Sequence, residues 1–158
     1  MKKISFILAI AILVTSFGCN KSDQTDNSTN KLVGKWELTY NKISYYNAND
    51  ILLQTDEYDE TDIDDPNILE FKTNGDFIST DPDPDNEPEI YEGKWSIQNK
   101  NELLLEDETH QFLYHILNLN QSFLEITITE TGNIPYDDDN GNEKFAAKAV
   151  YILKFKRI

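Results

Sequence analysis

The sequence predicts an all-β protein, an up-and-down antiparallel β-barrel of about eight strands. Apolar and polar residues alternate with period two in most segments after residue 30, which is typical of half-buried strands. Short polar turns separate these segments, and none has the spacing of a useful amphipathic helix. The 8 Phe, 8 Tyr and 2 Trp among 158 residues also favour strands, and this length fits one domain.

The first residues of the chain predict a secretory signal. Lys2 and Lys3 precede an apolar run over residues 4–14 that only Ser5 interrupts. At ~1.5 Å rise per residue this run covers about half of a ~30 Å hydrocarbon core, so it is too short to span a bilayer. Residues 1–18 are therefore expected to be removed. Losing two of 14 basic residues leaves 12 against 29 acidic ones, and the net charge changes from −15 to −17.

The run Thr15-Ser16-Phe17-Gly18-Cys19 resembles the lipobox of bacterial lipoproteins, in which a small residue precedes a cysteine. Gly18 fits that pattern, and Phe17 is unusual in it. The resemblance implies that Cys19, the only cysteine, becomes a diacylglyceryl anchor in the bacterial cell envelope, on the outer membrane of a Bacteroidetes-type cell. Polar residues 19–30 would then form a flexible tether ahead of a domain over residues 31–158.

Alternation predicts the first strands of the domain. The expected inward residues of these strands are Trp36, Leu38, Tyr40, Leu69, Phe71 and Phe77. The run Thr73-Asn74-Gly75-Asp76 supplies an Asn-Gly turn, so residues 68–80 are predicted to form a hairpin. Residues 43–53 show only weak alternation of apolar and polar residues, and we count them as one further strand.

Later segments alternate in the same way. A second hairpin is predicted over residues 90–106, and two more strands over residues 123–130 and 145–157. Residues 109–119 carry apolar side chains at both odd and even positions. The alternation therefore does not decide which face of that strand points inward. The expected inward residues of these later segments are Tyr91, Gly93, Trp95, Ile97, Leu103, Leu105, Leu124, Ile126, Ile128, Ala147, Ala149, Tyr151, Leu153 and Phe155.

Two acidic stretches, residues 55–67 and 81–89, break the alternation and are predicted as loops on the rim of the barrel. Calcium would need about six to eight oxygen ligands, but the prolines of the second stretch keep the chain extended. The acidic run over residues 137–141 lacks the Gly at the sixth position and the Glu at the twelfth position of an EF-hand loop. We therefore interpret these acids as solvated surface and expect no metal and no cofactor.

The sequence offers no catalytic constellation, and we expect a protein that is not an enzyme. No Gly-x-Ser-x-Gly occurs, and Cys19 is assigned to the anchor. His110 and His115 are five residues apart, which places them on opposite faces of a strand, where they cannot share a metal. The net charge of −15 also argues against nucleic acid as a partner.

Two Gly-x-Trp motifs give the domain a family resemblance. The run Leu32-Val33-Gly34-Lys35-Trp36-Glu37-Leu38 resembles the opening of lipocalin-like domains, and Gly93-Lys94-Trp95-Ser96-Ile97 repeats the motif. Between them, Phe71-Lys72-Thr73-Asn74-Gly75-Asp76-Phe77 is similar to the hairpin of the same family. The resemblance implies that Trp36 plugs one end of the barrel and that Arg157, the only arginine, caps it.

The predicted barrel would suit a small hydrophobic or amphiphilic ligand, because eight strands leave room for packed side chains or for one such molecule. The residues expected to line a cavity are Trp36, Tyr40, Phe71, Phe77, Trp95, Leu105, Ile126, Ala147, Ala149 and Tyr151. The alternative is a packed interaction module whose acidic loops contact a protein or a glycan at the cell surface.

Overall fold

The computed structural model describes residues 27–59, 65–83 and 87–158 and confirms the predicted fold class. In these residues nine antiparallel strands follow one short helix, α1 (Asn27–Leu32). The strands are β1 (Gly34–Tyr46), β2 (Leu52–Asp59), β3 (Ile68–Phe71), β4 (Asp76–Asp81), β5 (Glu89–Gln98), β6 (Glu102–Glu106), β7 (Gln111–Leu119), β8 (Phe123–Asp137) and β9 (Glu143–Arg157). The predicted signal and Cys19 lie outside the described residues.

Eight of the strands close into a ring. Each strand from β3 to β8 pairs with the next one, β1 pairs with β3, and β9 pairs back with β1. Closure gives these strands partners on both sides and removes the free edges that invite aggregation. Two predicted hairpins are confirmed, because Phe71 lies opposite Phe77 across the Asn-Gly turn and Trp95 lies opposite Leu105.

The ninth strand, β2, lies outside the ring. The first residues of β1, from Gly34 to Glu37, pair with β3, whereas its second half, from Tyr40 to Tyr46, pairs with β2. On its other edge this second half pairs with β9, which pairs in turn with β8. We call this four-stranded sheet, in the order β2-β1-β9-β8, the extension.

Two hydrophobic clusters stabilise the part of the chain that the structure describes. The larger lies inside the barrel and contains Trp36 and Trp95, with Phe71 edge-on to Trp95 at 5.6 Å between ring centroids. The smaller covers the extension, where Tyr45 stacks on Tyr136 with 4.8 Å between centroids. The inward-facing side chains of β1 and β9 are expected to pack into one core. They pack into two clusters instead.

One end of the barrel is closed by α1 and by the last residues of β9. Leu32 and Trp36 are fully buried there, and the Trp36 indole donates a hydrogen bond to the Leu32 carbonyl at 2.7 Å. The Arg157 guanidinium lies 4.3 Å from the Trp36 ring centroid. It also donates hydrogen bonds to the carbonyls of Lys31 and of Val33, the latter at 2.6 Å. The structure thus brings together the two residues expected to form a cap, in a cation–π contact at the end of a helix.

The two Gly-x-Trp motifs need glycine for different reasons. Gly34 has a φ of 138°, a backbone conformation that other residues rarely adopt, and a Cβ there would overlap the Arg157 guanidinium. A Cβ at Gly93 would overlap the Glu106 carbonyl oxygen and the Phe77 ring. Each glycine therefore lets a second chain segment approach the backbone closely.

Two expectations about the residues ahead of β3 are wrong. Residues 43–53 do not form one strand, because the chain turns between β1 and β2. Asn47 makes this turn, since its side-chain oxygen accepts hydrogen bonds from two backbone N–H groups downstream, at 2.9 and 3.1 Å. The predicted loop over residues 55–67 is partly strand, because β2 pairs with β1 and its Glu57 lies 3.9 Å from Lys42.

The folded domain also begins earlier than expected. The helix α1 starts at Asn27, so the last residues of the predicted tether, residues 19–30, belong to the domain. The helix forms because Leu32 at its end is buried in the core. The Val33 N–H prolongs its hydrogen bonding by donating to the Thr29 carbonyl at 3.3 Å.

A bulge in β1 turns Tyr40 to the outer surface, although alternation with Trp36 and Leu38 predicts the opposite orientation. The pairing with β9 shifts by one residue between Leu38 and Tyr40. The Tyr40 ring then lies 4.1 Å from the Lys154 amine, and its hydroxyl donates to Glu57 at 2.7 Å. Because side chains alternate with period two, one inserted residue moves the following side chain to the other face.

The structure orients β7, whose inner face the sequence left open. Tyr114 and Ile116 pack against the core, whereas Leu113 and Leu117 are 48% and 49% exposed. A register shift after Ile116 then changes the parity, so Leu119 packs inward as well. The bulge thus explains the inward side chain of Leu119, whereas Leu113 and Leu117 are apolar residues on the outer surface.

Candidate functional site: a cavity in the barrel

The barrel contains a cavity of about 510 Å³ that opens at the end away from α1. This volume lies within the range of small-molecule sites in proteins. Its walls are mainly apolar, and they are formed by Leu69, Phe77, Leu105, Ile126, Leu153 and Phe155 together with polar residues near the opening. The cavity can therefore hold an apolar group out of water.

Polar side chains gather at the opening because successive connections of an up-and-down barrel alternate between its two ends. The β4–β5 and β6–β7 connections share the open end, where Asp81 and Asp107 line the cavity. Asn67, just ahead of β3, donates hydrogen bonds to Ser79 at 3.3 Å and to Asp81 at 3.2 Å. We call Asn67, Ser79, Asp81, Tyr91, Asp107 and His110 the mouth of the cavity.

The β6–β7 connection is built around Asp107. Its Oδ1 accepts hydrogen bonds from the backbone N–H groups of Thr109 at 2.6 Å and His110 at 2.7 Å. These backbone donors lower the pKa of the Asp107 carboxyl below its usual value, so the group is ionised at neutral pH. The His110 ring lies 3.6 Å from the same oxygen and stacks on Phe112 at 5.9 Å. Negative charge is therefore fixed at the mouth.

The inner face of the barrel continues onto the extension. Ile126 and Leu153 both line the cavity and lie opposite each other, and Tyr151 lies two residues further along the same face of β9. The Tyr151 hydroxyl donates to Glu130 at 3.1 Å. Burial, and then the charge of Glu130, raises the pKa of Tyr114, which itself lines the cavity. Glu130 thus lies near Tyr151 and Tyr114, the second of which lines the cavity.

The phenol of Tyr151 provides a test of these contacts by alkaline titration. Burial, followed by the charge and the hydrogen bond of Glu130, raises the pKa of Tyr151 from 10.0 to about 12. Because the folded-state pKa is the higher one, the stabilisation from Tyr151 is complete below pH 10 and is lost as the pH rises to about 12. We expect the absorbance titration of the tyrosinates to show a late component that Tyr151→Phe reduces.

The matched variant for this titration is Tyr40→Phe. The hydrogen bond to Glu57, and then burial, raises the pKa of Tyr40 to about 12 on the outer surface. Each single variant should remove one late component, and the double variant should remove both. Unchanged late amplitude in Tyr151→Phe would show that Tyr151 does not lie in this part-buried site beside Glu130.

The structure places the residues expected to line a cavity in several different environments. Phe77, Leu105 and Ile126 do line it. Trp36, Phe71 and Trp95 lie in the packed core instead, and Tyr40 lies on the outer surface. Ala149 and Tyr151 belong to the cluster of the extension, while Ala147 is half-buried opposite an irregularity in β8, between Thr131 and Ile134.

Reasoning from the sequence missed most of the polar residues that line the cavity. Asp107, His110 and Tyr114 were not candidates, although the topology contained a signal for the first two. Alternate connections share an end of the barrel, so the turn at residues 107–110 is expected to lie near residues 81–89. No comparable signal pointed to Tyr114, because β7 is apolar on both parities and its bulge could not be foreseen.

The acidic run over residues 137–141 builds a turn. The Asp138 Oδ1 accepts hydrogen bonds from the backbone N–H groups of Asn140 and Asn142, each at 3.0 Å. Across residues 27–59, 65–83 and 87–158, no three His, Cys, Asp or Glu side chains are arranged to hold a metal ion. The described part of the chain contains no helix with the length and apolar character needed to cross a membrane.

Comparison with known proteins adds no family to this description. No protein-family model matches the sequence. No curated protein matches it either.

Proposed function

We propose that this chain is a membrane-anchored, lipocalin-like lipoprotein of the bacterial envelope whose barrel binds a small hydrophobic or amphiphilic molecule. The observation that carries the proposal is the open cavity of about 510 Å³ inside a closed barrel. A module that used only its outer surface would gain stability by burying the apolar walls of such a space, at roughly 25 cal/mol per Å² of apolar surface removed from water. The cavity therefore favours ligand binding over the alternative of a packed interaction module.

The cavity residues suit an amphiphile held in one direction. Phe77, Leu105 and Ile126 would surround an apolar body, at a gain of roughly 25 cal/mol per Å² of apolar surface buried. The polar groups of the mouth, with Asp81 and Asp107 among them, would contact the polar end. A closed ring of paired strands holds these side chains in place before binding, which lowers the entropy that binding costs.

The anchoring part of the proposal rests on residues 1–19. A short apolar run, too short to span a bilayer, precedes Cys19 in a lipobox-like context. Several acyl chains on that cysteine would hold the barrel at the outer membrane. The intact mass of the chain purified from its own host should show loss of residues 1–18 and added acyl groups. A mass that retains residues 1–18, or lacks acyl groups, contradicts the anchor.

Ligand binding is tested with N-phenyl-1-naphthylamine, an uncharged dye that fluoresces when it leaves water. We expect saturable binding to the full chain and loss of that binding in Ser79→Trp, because Ser79 lines the cavity and an indole there would occupy it. The matched control is Ser96→Trp, which adds the same indole to an exposed position of β5. Melting temperatures show whether both variants fold, and the smaller Ser79→Phe replaces Ser79→Trp if that variant does not. Equal binding by the cavity variant and the Ser96 control would contradict the proposal.

A further inference from the structure

We propose that the cavity selects amphiphiles with a positively charged head group over carboxylates with the same apolar body. The inference rests on the proposed function and adds the chemical class of the ligand to it. Its basis is the set of polar atoms that the mouth presents to a bound molecule.

The charged groups that line the cavity are acidic. Asp81 and Asp107 contribute carboxylates, and in the described residues no lysine or arginine belongs to the lining. Glu130, hydrogen bonded to Tyr151, adds a further carboxylate near Tyr114. A carboxylate head group would therefore enter against like charges, whereas an ammonium group would find opposite ones.

Two donors at the mouth, Asn67 and Tyr91, are already engaged by protein acceptors. The Asn67 amide donates to Ser79 and Asp81, and the Tyr91 hydroxyl donates to Glu89. The Nδ1 atom of His110 lies 2.6 Å from the Thr109 hydroxyl and 3.6 Å from Oδ1 of Asp107, so it too faces protein partners. A carboxylate that accepted from Asn67 or Tyr91 would have to displace one of these contacts.

Acceptors, in contrast, remain available at the mouth. The hydrogen bonds from Thr109 and His110 reach Oδ1 of Asp107, which leaves Oδ2 to accept others. An amine, which donates up to three hydrogen bonds, matches this surplus of acceptors.

The test compares three molecules with one apolar cage: 1-adamantylamine, 1-adamantanol and 1-adamantanecarboxylate. Each displaces N-phenyl-1-naphthylamine from the full chain, with Ser79→Trp as the background. We expect the amine to bind about tenfold more tightly than the carboxylate, with the alcohol between them, and the difference to shrink as salt is added.

Asp81→Asn with Asp107→Asn should abolish this preference. Asparagine keeps the Oδ1 acceptor that holds the β6–β7 turn, so the fold should survive the change. The control is Glu70→Gln with Glu102→Gln. It also removes two negative charges, one from β3 and one from the start of β6, and neither residue lines the cavity. If the preference for the amine survives in the Asp81 and Asp107 double variant, or disappears equally in the control, these two carboxylates do not cause it.

The outcomes separate this inference from the proposed function. If all three molecules displace the dye equally, or if the carboxylate binds best, charge selection is wrong while ligand binding stands. If the dye and the three molecules all fail to bind, both proposals are wrong.

Discussion

Gly34→Ala is expected to lower the free energy of unfolding by about 4 kcal/mol. Roughly half of that comes from backbone strain, because a φ of 138° is one that an L-residue adopts only at a cost of about 1–3 kcal/mol. The rest comes from the new Cβ, which would push the Arg157 guanidinium away from Val33 and Trp36. Chemical unfolding of the full chain, followed by circular dichroism, measures the change.

Gly132→Ala is the matched control for this variant. Gly132 has a φ of 142°, close to that of Gly34, but a Cβ there meets no atom within 4 Å. The two variants therefore share the strain and differ in the clash, and Gly34→Ala should be the more destabilising by about 2 kcal/mol. In an Arg157→Ala background the difference should vanish. Equal effects of the two glycine substitutions would show that Arg157 does not lie against Gly34.

Arg157→Ala is expected to lower the free energy of unfolding by about 3 kcal/mol and the melting temperature by about 10 °C. The guanidinium donates to the carbonyls of Val33, at 2.6 Å, and Gln121, at 2.5 Å, besides its contact with Trp36. These bonds join the end of α1, the β7–β8 turn and the last strand, so their loss opens the closed end. Deleting the last two residues should have the same effect.

Two substitutions separate the geometry of Arg157 from its charge. Arg157→Lys keeps the charge but cannot reach several carbonyls in one plane, so it should recover less than half of the loss. Lys144→Ala removes a charge from an exposed pair with Asp138 at 3.8 Å and should change stability by less than about 1 kcal/mol. A full recovery by lysine would show that charge alone stabilises this end, and an unchanged melting temperature in Arg157→Ala would contradict the cap.

The sequence was sufficient for the fold because the signals that define it are local. Alternation in residues 68–80 and an Asn-Gly turn specify a hairpin whose register the structure confirms, with Phe71 opposite Phe77. Closure of the ring could also be inferred, since up-and-down order and a long last strand leave β9 free to pair with β1. Each inference needed only the period of the side chains and the chemistry of a turn.

Bulges could not be inferred in the same way, because each depends on one residue that has no strong preference of its own. The shift after Leu38 turned Tyr40 outward, and the shift after Ile116 brought Leu119 inward. A single inserted residue reverses the parity of everything beyond it, so errors of orientation begin at these points. Turns rich in Asn and Gly carry a stronger signal than bulges do.

The candidate cavity was predicted only in part, because parity gives the direction of a side chain but not its depth along the barrel. Trp36 and Phe77 are both inward, yet the first closes one end and the second lines the cavity. Ala149 follows the same parity, but β9 is longer than the barrel and carries it onto the extension. Depth depends on the lengths and staggers of neighbouring strands, which the sequence did not supply.

The most direct test of the central claim, that the barrel interior binds a small apolar molecule, is methyl NMR of the full chain during titration with N-phenyl-1-naphthylamine. We expect saturable shifts at Leu69, Leu105 and Ile126, which line the cavity, and none at Leu113 and Leu117, which are exposed on the outer surface. The contrary result is binding that shifts the outer leucines and leaves the cavity methyls unchanged. That result would place the ligand outside the barrel.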